Sequence, residues 1–151
     1  MKAGFKIGDF ELTWLNGGTF ELDGGAMFGV VPKVLWQKKY PPTEDNYIPL
    51  SASPILVKTP QALVLIESGI GNKLTDKQKK IYRIREEWSV IGELKLLGIS
   101  REDIDFVVLT HYDFDHAGGV VMLDDEGSPS LTFPKAKHII QQKEWEDVLK
   151  P

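Results

Sequence analysis

The chain has 151 residues, the length of one domain with a single core. Its formal net charge is −4 and it carries no basic block, which argues against nucleic acid as a main partner. It contains no cysteine, so a disulfide framework and thiolate ligands are excluded, and any metal site must use nitrogen and oxygen donors, a set that suits zinc, manganese or iron.

Hydrophobic residues make up 42% and charged residues 26%, the balance of a soluble globular chain. No apolar run is long enough to span a bilayer, and Met1 to Phe5 carries no apolar signal segment. The expectation is a cytoplasmic protein with no membrane partner.

In chain order, Phe5, Ile7, Phe10, Leu12 and Trp14 alternate with polar residues. That pattern predicts a strand pair turning at Gly8-Asp9. Asn16-Gly17-Gly18 is a second turn, Thr19 to Leu22 a third strand, and Asp23-Gly24-Gly25 a break. Met27 to Val31 is apolar with glycine-rich flanks, and it reads equally as a mobile loop or as core. Pro32 to Pro49 holds four of the nine prolines, which predicts a surface excursion around one helical turn at Val34 to Lys38. Trp36 and Tyr40 there read as packing residues. Ser53 to Leu56 and Ala62 to Ile66 read as buried strands joined at Lys58 to Gln61.

Further along, Asp76 to Arg85 is mostly polar, anchored by Leu74, Ile81 and Ile84, with Lys77, Lys79 and Lys80 on a solvated face. Val90, Ile91, Leu94 and Leu97 recur at helical spacing, and Gly98 stops that helix. Ser100 to Asp103 reads as a capping box. Val120 to Leu123 is apolar, Asp124 to Pro129 a turn, Ala136 to Gln141 a last strand, and Gln142 to Leu149 a helix. His138 in that last strand reads as a strand residue rather than a ligand.

The stretch that carries chemistry is Val107 to Gly119. An apolar β-branched run, Val107-Val108-Leu109, is followed by His111, Asp113, Asp115 and His116, then by Ala117-Gly118-Gly119. Strand, donors and tight turn together place the donors at the C-terminal edge of a sheet, where open α/β folds put their chemistry. His111 and Asp113 lie two apart and project to one side of an extended backbone. Asp115 and His116 are adjacent and diverge, so the loop can serve two ions. The bland alternative is a polar loop in which Asp115 caps a helix starting near His116. Two of only three histidines fall here, beside two carboxylates, which favours metal.

At these residues the chain resembles the metallo-β-lactamase superfamily, whose metal motif is His-x-His-x-Asp-His. His111, Asp115 and His116 match the first, third and fourth ligands, and Asp113 stands where the family usually has His. Met27 to Pro32, Phe133 to Ala136 and Gln141 to Trp145 resemble the lactonase-type branch, the enzymes similar to N-acyl-homoserine lactonases. The resemblance implies an αββα sandwich, with residues 1–151 as its N-terminal half: a mixed β-sheet with flanking helices, the C-terminal half absent. It implies one or two zinc ions, with iron or manganese also accommodated because Asp113 adds a hard oxygen.

By the same resemblance, His111 and Asp113 would ligate one ion, and Asp115 and His116 the other. Asp115 would also accept a proton during turnover. Many family members have Asp at the position of Glu67, placed to support the metal loop; a turn carboxylate is the alternative for Glu67. The expected activity is hydrolysis of a small-molecule ester, lactone or thioester by metal-activated water, impaired in this length of chain. No residue is assigned to substrate binding. Two alternatives stand beside it: a di-iron redox protein resembling flavodiiron proteins, which carry a carboxylate at the position of Asp113, and a non-catalytic half-domain. A homodimer, or association with a missing C-terminal half, is the expected assembly.

Overall fold

The computed structural model describes residues 4–150. The expected first hairpin is present: β1 (Gly4–Ile7) pairs antiparallel with β2 (Phe10–Trp14). β3 (Thr19–Asp23) pairs instead with β4 (Tyr47–Ser51) in a separate ribbon. β4 was not legible as a strand, because Pro49 within it removes a backbone donor. Between them, Asp23 caps a one-turn helix α1 (Gly24–Phe28), its carboxylate accepting from the Ala26 amide at 2.9 Å. Met27 and Phe28 therefore belong to a helix rather than a loop, and the ring of Phe28 stacks on Trp36 of α2 (Lys33–Trp36) at 4.7 Å. Trp36 is buried, as expected of a packing residue, whereas Tyr40 is exposed.

β5 (Ile55–Lys58) and β6 (Leu63–Ile66) form the next antiparallel pair, displaced by one or two residues from the expected limits. α3 (Asp76–Ile81) opens on a reciprocal box between Thr75 and Gln78. α4 (Val90–Leu96) buries Val90 and Leu94. A 3-10 turn at Arg101–Asp103 carries the expected box from Ser100. β7 (Phe106–Val108) leads into α5 (Phe114–Ala117). β8 (Val121–Leu123) and β9 (Pro129–Leu131) form a second small ribbon, and β10 (Lys137–Ile139) precedes α6 (Gln142–Val148). Among the described residues no helix is long and apolar enough to cross a membrane.

The six-stranded sheet runs β1-β2-β5-β6-β7-β10. Its first four strands are antiparallel, and β7 is parallel to both β6 and β10. It is the mixed sheet with flanking helices that the sequence implied. Because side chains alternate between faces, register decides which residues meet. Leu56, Leu65 and Val107 align on one face and join Val90 and Leu94 of α4, Ile104 and Phe133 in the main core. On the other face two rows cross the sheet: Leu12, Val57, Val64 and Phe106, then Trp14, Ile55, Ile66, Val108 and Ile139. These residues are half-buried or exposed and join neither buried cluster. A second cluster, Phe20, Ala52 and Ile70, lies under the β3–β4 ribbon. There the buried Glu21 carboxylate accepts from Arg83 and Arg85, the Arg85 Nε bond measuring 2.8 Å.

Candidate metal centre

The donor loop leaves the C-terminal end of β7, beside the C-terminal end of the parallel strand β6. Both ends of this turn are tied to buried groups. Leu109 and Ala117 sit in the main core. Between them, Phe114 packs edge-on against Phe20 at 5.3 Å and stacks on Tyr82 at 4.2 Å. The backbone of β6 continues into the same corner. The Glu67 amide donates to the Val108 carbonyl at 2.9 Å. The amide and hydroxyl of Ser68, a fully buried residue, donate to the His116 carbonyl at 2.7 and 2.8 Å.

This approach is too close for side chains. A Cβ on Gly119 would stand 2.2 Å from the Ser68 carbonyl oxygen. A Cβ on Gly71, which has φ +69°, would stand 2.3 Å from that of Gly118. The small residues after His116 are therefore required by contact with the β6 loop as well as by their own turn. Lys73 reaches across to donate to the carbonyls of Gly118 and Val121, where a cation suits the end of α5.

Glu67 occupies the left-handed region at φ 63°, a conformation that costs about 1–2 kcal/mol for a residue with a Cβ. What that conformation delivers is a carboxylate under the donor loop. Its Oε1 accepts from the Thr110 amide at 2.9 Å, and its Oε2 lies 3.2 Å from His116 Nδ1. Oε2 and Nδ1 are both buried and neither has a well-directed hydrogen bond among the described residues. On the other ring, the Thr110 hydroxyl lies 2.8 Å from His111 Nδ1. Each imidazole thus has Nδ1 facing a neighbour and turns Nε2 toward a carboxylate.

Those carboxylates complete two pairs. His111 Nε2 lies 3.5 Å from Asp113 Oδ2, and His116 Nε2 lies 3.3 Å from Asp115 Oδ2. The two rings pack at 3.8 Å between centroids. Among the described residues, no group of three or more such side chains converges as a site for one ion. Asp113 is the outlying member. Its side chain is 77% exposed, against 36% for His111, 31% for His116, 24% for Asp115 and 13% for Glu67. The helix-cap expectation also moves. Asp113, not Asp115, stands at the N-cap of α5, and it makes no side-chain cap bond. α5 starts two residues earlier than expected because Phe114 is drawn into the second cluster.

The pair spacings bear on metal. A hydrogen-bonded imidazole and carboxylate sit closer, near 2.7–2.9 Å. Two ligands each about 2.0–2.1 Å from a tetrahedral ion lie about 3.3–3.4 Å apart. The donor chemistry and the 3.3 Å spacing of Asp115 and His116 would suit a divalent ion, whereas the 3.5 Å spacing of His111 and Asp113 lies beyond that range.

His138, the third histidine, lies in β10 opposite Val107, as a strand residue. Burial holds it below the ordinary histidine pKa, and it takes no part in the loop. Sequence reasoning missed Ser68, Thr110, Phe114 and Lys73. A threonine directly before the first histidine was the one signal available.

Residues 47–149 match the metallo-beta-lactamase superfamily. The chain belongs to that superfamily. A probable metal-dependent hydrolase of Staphylococcus aureus is similar over 97% of this chain and 52% of its own, with 44% identity and a TM-score of 0.89. AidC, a dizinc quorum-quenching lactonase, is 26% identical, with a TM-score of 0.71 over 96% of this chain and 46% of its own. The N-acyl homoserine lactonase AttM of Azorhizobium caulinodans is 32% identical over 68 residues, which are 45% of this chain and 22% of that protein. The chain spans about half the length of these two solved structures. These relatives are named as hydrolases and lactonases, which does not favour the di-iron redox reading.

Proposed function

We propose that this chain contributes the metal-binding loop of a metal-dependent hydrolase acting on a small-molecule lactone, ester or thioester. The observation that carries the reading is the arrangement at the end of β7: two imidazole–carboxylate pairs, spaced 3.5 and 3.3 Å, in a chain of this superfamily. The names of AttM and AidC support a lactone as the substrate class.

His111 and Asp113 would hold one ion, and Asp115 and His116 a second, zinc being the metal named for AidC. A bound divalent ion supplies a water of lowered pKa and polarises a substrate carbonyl. The protein's own part is orientation. Thr110 and Glu67 engage the Nδ1 side of each ring, so that Nε2 of both faces the carboxylates. Asp115, half-buried beside His116, would take up a proton during turnover.

The test is metal content and turnover together. The purified chain, stripped with chelator and dialysed against zinc, should retain one or two equivalents by native mass spectrometry. It should open N-hexanoyl-homoserine lactone slowly, in a manner lost on chelation and restored by metal. Retention of no metal, with ring opening no faster than in buffer, would remove the reading.

A further inference from the structure

The segment from Gly24 to Thr43 holds no member of the donor loop, and its apolar side chains divide into two sets. The aromatic ones pack on one another. Trp36 is buried, Phe28 stacks on it at 4.7 Å, and the Tyr40 ring lies 5.8 Å from that of Phe28. This base is tight: a Cβ on Gly24 would stand 2.5 Å from the Trp36 ring. The aliphatic set is left outside. Met27, Val30, Val31, Val34 and Leu35 are all exposed, Val30 completely. They fall on α1, on α2 and on the turn between them, where the Val31 amide donates to the Phe28 carbonyl at 3.1 Å. An apolar cluster held out on a firmly packed base marks a surface of interaction rather than a failure of packing.

The charge around the cluster is one-sided. Gly24 to Thr43 carries Lys33, Lys38 and Lys39 and no acidic residue, in a chain whose net charge is −4. All three lysines are exposed. From this we infer that the segment is a docking surface for an anionic lipid bilayer. The aliphatic side chains enter the headgroup region, and the lysines meet the lipid phosphates and carboxylates. Exposed aliphatic residues with a lysine rim are the composition of a segment that lies on a membrane. A protein partner calls for a different surface, with aromatic residues and arginine at its centre and lysine depleted. Here the aromatic rings pack into the base and every cation is a lysine. The expectation of no membrane partner rested on the absence of a spanning run. A contact of this kind crosses nothing, so it needs no helix long enough to span, and the described residues hold none. The inference is independent of the metal-centre reading.

Co-sedimentation of the full chain with vesicles tests this. Phosphatidylcholine vesicles containing phosphatidylserine should pellet the protein, and vesicles of phosphatidylcholine alone should pellet much less. Raised salt should release it, because the attraction of lysine to the anionic surface is screened. Two combined variants locate the contact. Lys33→Gln, Lys38→Gln and Lys39→Gln together should weaken binding to the anionic vesicles about tenfold or more. Val30→Ser, Val34→Ser and Leu35→Ser together should also weaken it, while leaving its salt dependence in place. The substituted side chains are exposed, so both variants should keep the native circular dichroism. If the serine variant does not, the lysine variant decides alone. Binding to neither kind of vesicle, equal binding to both, or anionic binding unchanged in the folded variants would overturn the inference. So would a native chain that ignores vesicles and self-associates in sedimentation velocity while the serine variant does not, since the cluster would then be a contact between copies.

Discussion

The two imidazole–carboxylate pairs share one loop but are built differently. The inner pair, Asp115 and His116, lies within α5, its backbone held by Ser68 and its ring faced by Glu67. The outer pair, His111 and Asp113, hangs from the stretch between β7 and α5 and ends in solvent. The His111 ring is met by the Thr110 hydroxyl, the neighbouring Tyr112 amide donates to Glu144 at 3.2 Å, and Asp113 is held through its carbonyl by the amides of His116 and Ala117. The difference teaches that one pair is set by folding, while the other is left largely to solvent. Rigid donors preorganise a site, whereas exposed ones leave the metal to complete the geometry.

The largest effect that would break this comparison falls on the inner side. Gly119→Ala places a methyl 2.2 Å from a carbonyl oxygen of the buried Ser68, and neither backbone can retreat. Urea unfolding should show a loss of about 3 kcal/mol or more. A loss under 1 kcal/mol would mean that the β6 loop and α5 are not in this contact.

Next comes Glu67→Ala, which keeps the strained backbone at φ 63° and removes both carboxylate contacts. A loss of about 1–3 kcal/mol is expected. The His116 ring resonances should broaden or shift while those of His111 move less. Equal perturbation of both rings would erase the distinction between the pairs.

The smallest effect belongs to Asp113→Ala. An aspartate that caps its helix through its side chain costs about 0.5–2 kcal/mol when truncated. Asp113 makes no such bond, so stability should change by no more than about 0.5 kcal/mol in metal-free buffer. A loss above 1 kcal/mol would show that the carboxylate caps α5 after all, and would make the outer pair as structural as the inner one.

By itself, the sequence determined the strands and the donors. Alternation at Phe5 to Trp14, the apolar runs at β5, β6 and β7, and the crowding of His111, Asp113, Asp115 and His116 after β7 are local patterns. Local patterns follow from backbone periodicity and donor chemistry alone. The ribbon partner of β3, the helix at Gly24–Phe28 and the start of α5 at Phe114 were decided only by tertiary structure. Each depends on a contact far along the chain: β4 on β3, Phe28 on Trp36, Phe114 on Phe20 and Tyr82. So does the division of four donors into a held pair and a free one. Ser68 and Glu67 reach His116 from more than forty residues away, and no spacing within the motif records which histidine they will meet.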